Sequence, residues 1–147
     1  MLEKTTVETD IKEILGKFEA ANKLFIQKVE EKVVKEDLSY REAETEIFSF
    51  DHAQVGALLV KKWNFSQELE KVIEFHHEPY KAKGIVELAA ITNFSDKLCN
   101  KLRIGFKKDA SIVLEELESA VILNLQLPRV TELENELMQA LAEEEHF

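Results

Sequence analysis

Charged residues alternate with Leu, Ile, Val and Phe at helical spacing along almost the whole chain. Only four glycines and two prolines interrupt the pattern. It predicts an all-α protein, a bundle of about six to eight helices. The first apolar stripe is Ile11, Ile14, Leu15, Phe18, Leu24, Phe25, Val29 and Val33. It predicts one long or broken helix from about Val7 to Val34, weakened in the middle by Gly16 and Asn22. The run "SYRE", Ser39 to Glu42, has the capping-box pattern and opens a helix to about Phe48. The run "DHAQ", Asp51 to Gln54, repeats the pattern and opens a helix that ends near Trp63. Ser66 caps the next helix, which stops at two histidines before Pro79. A longer helix follows from about Ile85 to Leu102, closed by Gly105. Ser111 or Asp109 opens another, through about Leu125. The run "TELE", Thr131 to Glu134, is a last capping box. The glutamates near the C-terminus oppose the dipole of that final helix, so its end should fray.

The same spacing places the histidines. His52 shares a helical stripe with Val55, Gly56, Leu59 and Trp63. A glycine there costs roughly 1 kcal/mol of helix stability relative to alanine, and close approach by another helix is the natural compensation. His76 shares a face with Leu69, Val72 and Ile73, and His77 follows Ile73 by one turn. In the helix after Gly84 the apolar stripe is Leu88, Ile91, Phe94, Leu98 and Leu102. Asp96 lies on a smaller, more polar line with Ala89, Thr92, Asn93 and Cys99. Three helices thus offer His52, His76 with His77, and Asp96 as candidate ligands for one divalent metal. Imidazole and carboxylate ligands suit zinc, iron or manganese. The plainer reading is that the histidines are hydrogen-bonded core residues and that Asp96 faces solvent.

Composition narrows the function classes. A chain of 147 residues suits one domain spanning 1–147 and can bury a core unaided. Lys and Arg number 19 against 29 Asp and Glu, a formal charge of -10. That balance repels phosphate backbones and argues against nucleic acid as a partner. The one basic stretch, "KLRIGFKK", reads as a solvated loop after a helix. A single cysteine, Cys99, rules out an intrachain disulfide and fits a cytoplasmic setting. Cys99 itself reads as a small core residue. There is no apolar run of membrane-spanning length and no apolar signal core at the N-terminus, so no membrane is expected. There is no glycine-rich phosphate loop and no nucleophile–histidine arrangement of defined spacing.

Three blocks in order carry a family resemblance: "EIFSFDHAQVGALLVKKWNF", "VIEFHHEP" and "LAAITNFSDKL". They resemble the HDOD domain, a bacterial signalling relative of the HD-type metal phosphohydrolases and of the HD-GYP phosphodiesterases. The best match runs from about Leu38 to Gly105, and "LQLPRVTELE" is similar to the usual HDOD ending. The resemblance implies a helical bundle of the HD-domain type. It also implies that His52, His76, His77 and Asp96 match the metal-binding set of the catalytic relatives. Further ligands of that set come from an earlier histidine and from a His-Asp pair. No histidine precedes His52, and "TDIKEILGKF" looks like a worn form of the His-Asp segment. Thr9 stands there for the histidine, and Asp10 is the surviving aspartate. No "GYP" follows the double histidine, which argues against cyclic di-GMP hydrolysis.

The chain also looks like the C-terminal half of an HDOD domain, without the usual N-terminal helices. A layer lacking its partner exposes apolar surface, so a homodimer or a signalling-protein partner is expected, with Phe18, Phe25 and Phe48 at the contact. The implied function is a non-catalytic signalling or protein-interaction module with a degenerate metal site and no cofactor, or one divalent ion. The alternative is a metal-dependent phosphohydrolase acting on a nucleotide or phosphodiester.

Overall fold

In the computed structural model of this protein, residues 23–104 and 108–144 are described. Among them the protein is all-α, with no strand. Thr9, Asp10, Phe18 and Gly105, each given a role above, lie outside the described residues. The chain divides into two compact units, Met1–His52 and Ala53–Phe147.

In the first unit, α1 is helical over residues 23–36 and α2 spans Tyr40–Phe48. Asp37 takes a left-handed φ of 53° and ends α1. Ser39 then caps α2 as the sequence predicts. The Glu42 amide donates to Ser39 Oγ at 3.2 Å, and the Ser39 amide donates back to Glu42 Oε2 at 2.8 Å. Ser49, at φ 64°, closes α2 by donating its amide to the Thr45 carbonyl. Val29 and Ala43 are buried. The Phe25 and Phe48 rings stack at 3.8 Å, and Lys32 Nζ reaches Glu46 at 2.9 Å, so apolar and ionic contacts both join the two helices. Arg41 Nε donates to the buried Asp51 carboxylate at 2.7 Å, which satisfies a charge that burial would otherwise penalise.

In the second unit, α3 spans His52–Lys62 from its first residue at the boundary, and α4 spans Gln67–Phe75. Between them the Phe65 amide closes onto the Val60 carbonyl, with Asn64 left-handed at φ 57°. Ser66 caps α4, its Oγ accepting the Leu69 amide. The helix stops at the histidines, and Pro79 opens a short 3-10 helix, Pro79–Lys81. Then come α5, Val86–Lys101, a second 3-10 helix, Leu114–Glu116, α6, Glu118–Ile122, and α7, Leu127–Glu144. The core joins Phe94 and Leu98 of α5 to Leu114, Ala120 and Val130. Each large side chain buried there contributes roughly 1.5–3 kcal/mol. Lys101 of α5 pairs with Glu134 of α7 at 2.7 Å beside that core. Among the described residues no helix is long and apolar enough to cross a membrane.

The structure corrects several element readings. The helix expected through Leu125 is two pieces, because Leu117 between them is extended, at φ -66° and ψ 143°; Asp109 Oδ1 accepts the Ser111 amide in a local turn rather than capping a helix. The last helix begins at Leu127, not at Thr131. Gln126 accepts the first amides, Pro128 sits in the first turn, and Thr131 Oγ1 donates to the Leu127 carbonyl from inside the helix. The buried faces of α3 and of the first half of α5 differ from those expected. Ala53, Ala57 and Val60 are buried in α3, whereas Val55, Leu59 and Trp63 are exposed. In α5 Ala89, Ala90 and Asn93 are buried, and Leu88 and Ile91 are exposed. Small residues let helices approach closely and leave the large ones at the rim. Gly56 shows how close: a Cβ there would meet Ile73 Cγ2 of α4 at 2.8 Å. The close approach inferred from the glycine is therefore present.

Candidate metal centre

Two helix ends position the histidines. His52 is the first residue of α3 and is carried by that helix. His76 is the C-terminal cap of α4, and His77 follows it. The chain halts there because Pro79 cannot continue α4. The His76 and His77 rings lie 3.9 Å apart, tilted by 41°. One ligand atom from each of His52, His76 and His77 falls within 4.8 Å of the others. Nitrogens bound to one zinc ion at about 2.0–2.1 Å stand roughly 3.4 Å apart in a tetrahedron.

Hydrogen bonds fix which nitrogen two of the rings offer. His76 Nδ1 lies 2.7 Å from the Ile73 carbonyl, which can only accept, so Nδ1 carries a proton. His52 Nδ1 lies 2.6 Å from Glu44 Oε2, and the same oxygen accepts the His52 amide at 2.9 Å. Partners of this kind orient metal-ligating histidines.

The other expected ligands do not join the three. Asp96 accepts a hydrogen bond from Asn100 Nδ2 at 3.2 Å and lies 3.5 Å from Lys97 Nζ, with its side chain 40% exposed. It is not in the three-histidine group. Asp10 lies outside the described residues. The α5 residue that reaches the histidine pair is Asn93, whose buried Nδ2 donates to the His76 carbonyl at 2.8 Å. Spacing put Asn93 on the same line as Asp96, but a carboxylate drew attention where an amide makes the contact. Glu44 has no local signal in the sequence, because it lies in α2 while His52 opens α3 beyond the break at residues 49–51. Cys99 is half-buried in α5 and forms no disulfide.

The HDOD domain family matches residues 16–79, a stretch that includes all three histidines and begins earlier than the sequence blocks suggest. No curated protein shows significant sequence similarity to the chain. Among solved structures, an HDOD domain protein of unknown function from Geobacter sulfurreducens superposes with a TM-score of 0.62 at 24% identity. The likeness covers 79% of this chain and 42% of that one, so this chain spans less than half of its neighbour's length. At that identity the neighbour establishes the fold. The resemblance read from the three sequence blocks is thus matched by the HDOD domain family over residues 16–79, under half of the chain.

Proposed function

We propose that this protein is an HDOD-type signalling or protein-interaction module whose histidines hold at most one structural divalent ion, and that it does not hydrolyse phosphate esters. The contact of Asn93 with His76 carries this reading. A hydrolytic site of this kind needs several fixed ligands and an open coordination position. Here α5 brings an amide to the histidines, and that amide is committed to a backbone carbonyl. The nearby carboxylate of Asp96 is engaged by Asn100 and Lys97. Three neutral imidazoles suit zinc or iron better than manganese. The interaction role is supported by apolar surface: Leu58 is 66% exposed and Trp63 63%, and Phe65 beside them is also exposed. A second copy of the chain or a signalling partner is the expected occupant, in a cytoplasmic setting without nucleic acid.

One observation favours the alternative, a metal-dependent phosphohydrolase of nucleotides or phosphodiesters. Three protein ligands leave the fourth position of a tetrahedral ion open, as catalytic zinc sites do. Metal analysis of the purified chain, followed by a phosphodiesterase assay with added zinc, iron or manganese, separates the two. The proposal expects no turnover above a metal-only control. Metal-dependent turnover that disappears in His76→Ala establishes the hydrolase instead.

A further inference from the structure

Glu44 projects from α2, and one of its oxygens, Oε2, meets both polar groups at the start of His52. It accepts the backbone amide at 2.9 Å and lies 2.6 Å from ring Nδ1. The Glu44 side chain is 13% exposed, whereas that of His52 is 45% exposed. The carboxylate is therefore the anchored partner and the imidazole the one being held. Neutral imidazole carries its proton on either nitrogen, and the tautomer is set by the hydrogen bond the ring makes. A carboxylate against Nδ1 selects the Nδ1–H form and leaves the lone pair on Nε2. The backbone amide's hydrogen bond to the same oxygen holds the root of the ring beside that carboxylate.

We propose that Glu44 is a positioning residue: it holds His52 as the Nδ1–H tautomer and so presents Nε2 as a ligand for a divalent metal ion. Its bearing on metal binding rests on the reading of His52, His76 and His77 as one metal site. The control of the His52 tautomer does not. Outer partners of this type typically govern metal affinity by roughly 10–100-fold. By accepting the His52 amide, Glu44 also satisfies the first backbone donor of α3, so its two contacts are made at one helix start.

The test uses the full chain, as wild type, Glu44→Ala and Glu44→Gln. Nitrogen-15 NMR of the metal-free protein, at a pH where the ring is neutral, reads the His52 tautomer directly. Wild type is expected to show Nδ1–H, Glu44→Ala a shift towards Nε2–H, and Glu44→Gln, whose amide oxygen still accepts, retention of Nδ1–H. Zinc titration should then show an affinity loss of roughly 10–100-fold in Glu44→Ala and a smaller loss in Glu44→Gln. Should Glu44→Ala not fold, Glu44→Gln with Nε2–H would overturn the proposal, and Nδ1–H with weakened zinc binding would support it. An Nδ1–H ring in Glu44→Ala also overturns it. If wild type takes up no zinc while the tautomer still follows Glu44, the metal reading falls and the positioning role stands.

Discussion

A single added carbon is decisive at Gly56. The new Cβ would press on Ile73 Cγ2 at 2.8 Å, and that methyl sits on a stiff, β-branched side chain. Gly56→Ala should therefore lower stability by about 1–3 kcal/mol, although alanine is the better helix former by about 1 kcal/mol. Urea denaturation measures this, and an unchanged or raised midpoint would refute the close approach of α3 and α4. Asn93→Ala leaves the His76 carbonyl without its Asn93 donor and should cost about 1–3 kcal/mol. At this scale the sequence was partly legible. Helical spacing brought His52, His76 and His77 into view and gave Gly56 its meaning, because each follows from position along one helix. Glu44 and Asn93 were illegible because their roles depend on which helices meet, a tertiary fact that no local period encodes.

Elements were legible where their ends are capped by their own neighbours in sequence. Ser39 with Glu42, and Ser66 before α4, are bonds within four residues, and both are present. Ser39→Ala should cost about 0.5–2 kcal/mol and fray the start of α2, seen as faster amide exchange over Tyr40–Arg41 and Glu42. The same pattern misled at Thr131, where Pro128 had already begun the helix and the threonine folds back onto Leu127. The buried faces of α3 and α5 were misjudged for a different reason. Hydrophobic size marks the stripe, but here alanine and glycine pack inside and larger residues lie outside. Between α1 and α2, Glu36 and then Glu46 raise the Lys32 ammonium above the ordinary lysine value. The folded state holds that proton more tightly, so the link is fully present at neutral pH and is lost as pH rises through the folded value. Lys32→Met should therefore matter at neutral pH, weakly because the group is exposed, and cease to matter in strong alkali. Denaturation midpoints of both forms across the alkaline range check this sign.

For the whole molecule, the core of the second unit and its uncovered apolar surface set the main expectations. Leu114 is fully buried among Phe94, Leu98, Ala120 and Val130. Leu114→Ala should cost about 2–5 kcal/mol, and a loss well under 1 kcal/mol would show that the core is organised differently. Leu58, Trp63 and Phe65 present apolar surface that association would cover. Sedimentation equilibrium at micromolar concentration should report a dimer that Trp63→Glu weakens, and a clean wild-type monomer would remove the homodimer from the account. The all-α class and the HDOD resemblance were legible from spacing and from three blocks of residues. The most direct test is a cobalt titration of the full chain followed by visible absorption. The proposed metal site of His52, His76 and His77 predicts saturable uptake of one ion per chain with the intense bands of a tetrahedral nitrogen site, abolished in His76→Ala. Featureless spectra with no saturable binding, or bands that persist unchanged without His76, would contradict it.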